Sequence, residues 1–267
     1  MNLLIIGAGN MGLTYAKGMV KSGLVKEEQI SLVDSDKEKL AELKQTSTFN
    51  LFENPENALQ KVTMVLLAVK PYQCEELFKK IKPLISNQLF ISIMAGVTLE
   101  SIQQNLGAKK VVRAMPNLPA LVGKGVTSYF ASTEVLENEL KTVQQLLETT
   151  GLAFQVKNED LIDATTAISG SGPGYVFYFM DAMINASIKL GFSPEEAKNL
   201  AIKTLEGTTQ LFESSDFSAQ EWIDRVSSKG GTTEAAINFM EQTQVKTNLE
   251  KGILTAYKRA KEIGEGK

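Results

Sequence analysis

Six residues near the amino terminus constrain this chain more than any others: Gly7-Ala8-Gly9-Asn10-Met11-Gly12. They follow the apolar run 3–6 and open a stretch, 10–21, whose apolar positions recur at helical spacing. Glycines so spaced between a strand and a helix have separate jobs. The first two permit a tight turn and let the backbone approach a pyrophosphate, and the third lets the helix pack closely on the strand. The helix start then presents N–H groups and the positive end of its dipole to the phosphates. Asp34 closes the next apolar run, 27 residues after Gly7. A carboxylate there accepts from ribose hydroxyls and repels a 2′-phosphate, which leans toward NADH over NADPH, although Ser35, Lys37 and Lys39 are placed to welcome a phosphate.

The rest of the chain extends the pattern. Short apolar runs at 3–6, 30–34, 62–69, 89–94, 111–115, 125–131 and 152–156 alternate with amphipathic stretches at 10–21, 36–45, 72–82, 99–105 and 134–149. Such alternation predicts an α/β domain with a mostly parallel, doubly wound sheet over residues 1–157. Beyond it the strand runs stop. Helical spacing at 160–168, 173–190, 194–212, 219–226, 234–241 and 246–262 predicts an all-helical domain over 158–267. Ser35 with Glu38, Ser193 with Glu196 and Ser218 with Glu221 read as capping boxes. Segments 169–175 and 227–234 read as glycine-rich loops entering helices, the first with Pro173 at the first helical position.

Composition removes much chemistry. The chain has no histidine and one cysteine, Cys74. Ser-His and Cys-His catalysis, His-ligated zinc, four-cysteine sites and an intrachain disulfide are excluded, and no metal is expected. With 28 basic and 31 acidic residues there is no cationic excess to hold a nucleic acid. No apolar run approaches the roughly 20 residues that span a bilayer, and the first residues lack a basic leader, so a cytoplasmic protein is expected.

Three other segments carry chemistry in context. Ala68-Val69-Lys70-Pro71 follows a strand, at the end where doubly wound sheets bind ligands. The loops 169–175 and 227–234 present backbone N–H groups and a helix dipole suited to a carboxylate. With Ile91-Ser92-Ile93-Met94-Ala95-Gly96-Val97 and Arg113-Ala114-Met115-Pro116-Asn117-Leu118-Pro119, these segments run in the order of the pyrroline-5-carboxylate reductase family, which the chain resembles over essentially its whole length. It departs from the family's pattern at Lys229, where proline is usual, at Leu118, where threonine is usual, and at Met94 and Gly174, where alanine is common.

The resemblance implies a Rossmann-type dinucleotide domain followed by helices that interleave across a homodimer, with a ring of dimers as the larger assembly. It assigns Gly7, Ala8, Gly9, Asn10 and Met11 to the dinucleotide loop, and Asp34 and Asn54 to the adenosine ribose. Ala68, Val69, Lys70 and Pro71, with Ala95 and Gly96, form the wall around the nicotinamide. Gly230, Gly231, Thr232 and Thr233 form the loop for the substrate carboxylate, Asn117 and Ser171 join the substrate site, and the Thr233 hydroxyl lies near the ring nitrogen. The implied reaction is reduction of 1-pyrroline-5-carboxylate to proline by NADPH or NADH. Two alternatives stand beside it. One is a related imine or 3-hydroxy acid oxidoreductase, although helix 173–190 lacks a lysine before Lys189, which 3-hydroxy acid enzymes use. The other is a non-catalytic dinucleotide sensor, which need not keep a substrate loop.

Overall fold

The computed structural model describes residues 2–264. Its centre is an eight-stranded sheet in the order β3-β2-β1-β4-β5-β6-β7-β8. The strands are β1 Leu3–Ile6, β2 Ile30–Val33, β3 Asn50–Phe52, β4 Met64–Leu67, β5 Leu89–Ser92, β6 Val111–Met115, β7 Gly125–Ala131 and β8 Gly151–Gln155. All neighbours pair in parallel except β6 and β7. The strand order reverses between β1 and β4, which makes the crevice above their carboxyl ends the switch point of the sheet.

The apolar runs are continuous because both faces of the sheet are covered. Leu3 and Ile5 enter one core with Tyr15, Met19, Val143 and Leu147. Leu4 and Ile6 enter the other with Phe78, Ile81, Ile102 and Leu106. The first core receives α1 (Asn10–Lys21) and α6 (Glu137–Glu148), and the second α4 (Cys74–Ile81) and α5 (Leu99–Leu106). The remaining helices of this half are α2 (Lys37–Thr46) and α3 (Glu56–Leu59), followed by α7 (Asp160–Thr165).

Three expectations change. Strand β3 has no counterpart among the expected strands, being three residues long with a polar first residue. The cap of α2 is Asp36, whose side chain accepts from the Lys39 N–H, so the box expected at Ser35 does not form. The loop expected over 169–175 does not form: Thr166–Gly170 is a π-helical turn, α8 (Gly172–Lys189) starts one residue after Ser171, and Pro173 is its second residue, not its first. The boxes at Ser193 and Ser218 do form, at the starts of α9 (Pro194–Glu213) and α10 (Ala219–Val226).

The chain divides into two compact units, one running to Ser171 and resuming at Ala256, the other spanning Gly172–Thr255. Within the first unit α7 is tied to the sheet. Buried Arg113 of β6 pairs with Glu159 at 2.8 Å and Asp163 at 2.6 Å. Glu159 also accepts from the Leu99 N–H at the start of α5. The second unit holds α8, α9, α10, α11 (Thr232–Gln242) and the first part of α12 (Val245–Gly264). Helix α8 packs on α9, yet α8 buries none of its residues and only Ala197 and Ala201 of α9 are buried. No helix among the described residues is long and apolar enough to cross a membrane.

Candidate active site

A cavity of about 340 Å³ opens at the switch point. Gly7 and Gly9 line it from the turn after β1, Ala68, Val69 and Lys70 from the end of β4, and Asp34 and Asn54 from beyond β2 and β3. The glycines are needed by geometry. Gly7 has φ +106°, and a β-carbon on it would stand 2.6 Å from the Ala68 carbonyl oxygen. One on Gly12 would overlap the Gly7 carbonyl oxygen, so α1 can lie this close to the turn only with hydrogen there. Above Gly9 there is open space, with nothing within 4 Å of the position a β-carbon would take. That bare backbone at the start of α1 is a surface a pyrophosphate can reach, so the residues present fit a dinucleotide.

Asp34 is held from three sides. Its Oδ2 accepts from the Ala8 N–H at 2.9 Å and from Lys39 Nζ at 3.0 Å, and its Oδ1 accepts from the Asp36 N–H at 2.9 Å. Burial alone would raise this carboxyl, but the Asp36 N–H, the Lys39 ammonium and the Ala8 N–H outweigh it and hold the group below its ordinary 3.8. The carboxylate therefore braces the glycine turn, and its charge is paired. Lys37 turns instead to Glu53, at 2.9 Å.

A second cavity, about 410 Å³, shares Gly9, Ala68, Val69 and Lys70 with the first and adds Asn10, Met11, Pro71, Met94 and Ala95. The two cavities share a wall along the glycine turn and the end of β4. The structure thus brings together the expected residues of the glycine turn, the β2 end and the 68–71 segment. Ala8 is buried beneath the turn and acts through its N–H. Gly96 follows Ala95 outside the cavity lining and carries the last residues of α12, as Gly264 lies beside its carbonyl oxygen. Lys80, which also lines the first cavity, had no sequence signal; it lies on α4 among ordinary surface charges.

Gly230, Gly231, Thr232 and Thr233 lie in the second unit at the start of α11. Two of their N–H groups are already used. Gly230 donates to Glu234 Oε2 at 2.7 Å, and Gly231 donates to the Ser228 carbonyl at 2.8 Å. The first-turn N–H groups of Thr232 and Thr233 have no intrahelical partner, as at any helix start. The Thr233 hydroxyl makes no hydrogen bond among the described residues. Asn117 is engaged at both ends of its amide, donating to the Ser169 carbonyl at 3.0 Å and accepting from the Val126 N–H at 2.8 Å. Ser171 donates its N–H to the Thr166 carbonyl at the end of the π-helical turn.

Comparison with known proteins decides the family. Residues 159–263 match the family model described as pyrroline-5-carboxylate reductase dimerisation, and residues 2–96 match that of NADP oxidoreductase, coenzyme F420-dependent. The chain is 36% identical to pyrroline-5-carboxylate reductase 2 of Bacillus subtilis, over 97% of this chain and 94% of that protein. It belongs to the pyrroline-5-carboxylate reductase family. The reductase of Pseudomonas aeruginosa is also 36% identical, with 98% of this chain and 97% of the relative covered. Among solved structures, the Plasmodium falciparum pyrroline carboxylate reductase with NADP bound superposes with a TM-score of 0.90 at 29% identity, covering 99% and 98% of the two chains. That of Coxiella burnetii does so with a TM-score of 0.90 at 32% identity, covering 98% of each. The family's dimerisation domain coincides with the half whose long helices leave aromatic side chains exposed, among them Phe177 and Tyr178.

Proposed function

We infer that this chain reduces 1-pyrroline-5-carboxylate to L-proline with NADH or NADPH as hydride donor. The observation that carries the reading is the join of full-length membership in the reductase family with a bare-backbone groove at the switch point of the sheet. The NADP bound in the Plasmodium relative supports the same cofactor class.

In this reading Gly9 and Asn10 bind the pyrophosphate through the start of α1, Asp34 and Asn54 flank the adenosine ribose, and Ala68, Val69, Lys70, Pro71, Ala95 and Gly96 orient the nicotinamide. When bound, the reduced nicotinamide supplies the hydride that reaches C5 of the substrate. A protonated ring imine is already electrophilic, so the protein mainly orients two molecules and excludes water, which is chemistry a chain without histidine can perform. The start of α11 binds the substrate carboxylate through the free N–H groups of Thr232 and Thr233. The Thr233 hydroxyl accepts from the iminium N–H and fixes the ring for attack. Asn117, which braces the wall between β6 and the π-helical turn, and Ser171 at the end of that turn complete the substrate site. A ring of dimers and a cytoplasmic setting complete the proposal.

A steady-state assay with 1-pyrroline-5-carboxylate and each reduced cofactor tests it. Turnover with at least one cofactor is expected. Absence of turnover with both, in a protein that still binds them, overturns it.

A further inference from the structure

Ile93, Met94 and Ala95 line the second cavity as the chain leaves β5. The segment 93–98 is tied to the sheet at its start, where the Ile93 N–H donates to the Leu67 carbonyl at 3.0 Å. Its far end enters α5 at Leu99, a buried residue. The Leu99 N–H belongs to the first helical residue, so no carbonyl of α5 can accept it. Glu159, 60 residues away in sequence, supplies the acceptor: its Oε1 takes that N–H at 2.8 Å.

The same Oε1 accepts from Arg113 Nη1 at 2.8 Å, while Arg113 Nη2 donates to Asp163 at 2.6 Å. A guanidinium presents its donors in a rigid planar fork, so a buried one fixes where both carboxylates stand. From Glu159 the chain runs through α7 into the π-helical turn, whose Ser169 carbonyl accepts from Asn117. One oxygen thus joins the segment behind the second cavity to the helix that leads into the substrate-side turn. Glu159 itself lines neither cavity. We propose that Glu159, oriented by Arg113, is a positioning residue for hydride transfer: by holding the Leu99 N–H it fixes the Met94–Ala95 wall, and with it the nicotinamide, relative to α7. The requirement is for the reach of an acceptor to one point, not for charge. The proposal rests on the reading of the second cavity as the nicotinamide end of the reductase site.

Two conservative variants separate reach from charge. Glu159→Asp keeps the charge and shortens the side chain by one methylene, and Glu159→Gln keeps the reach and removes the charge. Amide hydrogen exchange over 93–99, followed by mass spectrometry without cofactor or substrate, reads the wall directly. Exchange at Leu99 should quicken roughly 10- to 100-fold in Glu159→Asp, as loss of one hydrogen bond to a charged group does, and less in Glu159→Gln. In the steady state with NADPH and 1-pyrroline-5-carboxylate, kcat should fall roughly 10- to 100-fold in Glu159→Asp, the scale of a misplacement of about 1 Å, and stay within about threefold in Glu159→Gln. NADPH affinity, read by nicotinamide fluorescence, should stay within about threefold in both, because the glycine turn is untouched. Lys110→Met, which breaks the half-buried pair of Lys110 with Glu139 at 2.7 Å, controls for stability alone and should lower the unfolding midpoint with kcat unchanged. The proposal is overturned by wild-type kcat in Glu159→Asp, by a kcat loss there without faster exchange over 93–99, by a larger kcat loss in Glu159→Gln, or by an equal one in Lys110→Met. A wild-type protein that binds NADPH and turns over no 1-pyrroline-5-carboxylate overturns the reductase reading itself, so the two failures are distinct.

Discussion

The side chain of Ile263 occupies the space a β-carbon on Gly96 would need, with its Cγ2 methyl overlapping that position. Gly96 has φ +75°, where a residue with a β-carbon is already strained, and it follows Ala95 in the wall of the second cavity. The last turn of α12 thus seats the segment assigned to the nicotinamide.

Gly96→Ala should destabilise the protein twice over, by about 1–2 kcal/mol for the left-handed backbone and by a further amount for the overlap with Ile263. Ile263→Ala removes the overlap but not the backbone cost. The double variant should therefore be more stable than the sum of the two single losses, by at least about 0.5 kcal/mol. Urea unfolding of the four proteins measures the coupling, and strict additivity would show that the two residues do not compete for space.

Arg113 offers a sharper stability test. It is 2% exposed and faces Asp163 and Glu159. Removing one partner leaves a buried guanidinium short of charge, a loss of about 3–5 kcal/mol in comparable sites. Asp163→Ala should approach that range. Glu159→Ala should cost less through the ion pair, since its side chain is 26% exposed, but it also strips the Leu99 N–H of its acceptor. The midpoint of chemical unfolding reads both, and a drop under about 1 kcal/mol for Asp163→Ala would show that water takes over the pairing.

Much of this architecture is legible in the residues, and the gaps have physical causes. The spacing Gly7, Gly9, Gly12 between an apolar run and a helix admits few backbones, so the turn, the groove and Asp34 beside it follow from the chain alone. The pairing of Asp34 with Lys39 depends on where two flexible side chains point, which spacing does not encode. Ser35 and Asp36 are both good caps, adjacent in sequence, and the turn geometry decides for Asp36. Strand β3 is too short to show alternation. Arg113 and its partners are 46 and 50 residues apart, a distance no local pattern bridges. Glu234 is an ordinary first-turn acid by sequence, and only the structure shows it taking the Gly230 N–H.

Thr233→Ala tests the substrate assignment. One neutral hydrogen bond is worth about 0.5–1.5 kcal/mol, so kcat/KM for 1-pyrroline-5-carboxylate should fall roughly 2- to 13-fold. NADPH binding should be unchanged. Thr233→Ser, which keeps the hydroxyl, should recover most of the loss. A kcat/KM equal to wild type in the alanine variant would remove Thr233 from the reaction.

Acid should weaken the brace at Asp34. Its carboxyl is held below the ordinary 3.8 in the folded chain, so unfolded protein binds the proton more readily. The stabilisation is fully present above about pH 4 to 5 and is lost as pH falls through the lower, folded value. Asp34→Asn lacks this dependence. The gap in Tm between wild type and Asp34→Asn should be constant from pH 7 to about 5 and narrow toward pH 3. A gap that stays constant over the whole range would show that the carboxyl titrates alike in folded and unfolded chains.

Assembly provides the last test. Tyr178 is 83% exposed and Phe177 58% exposed on a helix that buries none of its own residues. Large aromatic side chains gain about 1.5–3 kcal/mol each on full burial. In a two-fold dimer every such contact occurs twice, so one substitution acts at two places. Replacing both with aspartate also places four carboxylates, two per protomer, where apolar surface should close. The dissociation constant should then rise by at least about 100-fold. Light scattering at micromolar concentration should report the mass of a dimer or of a ring of dimers for wild type and the single-chain mass for Phe177→Asp/Tyr178→Asp. If the doubly substituted protein remains dimeric, α8 does not carry the interface, and the exposed aromatic side chains of α8 need another partner.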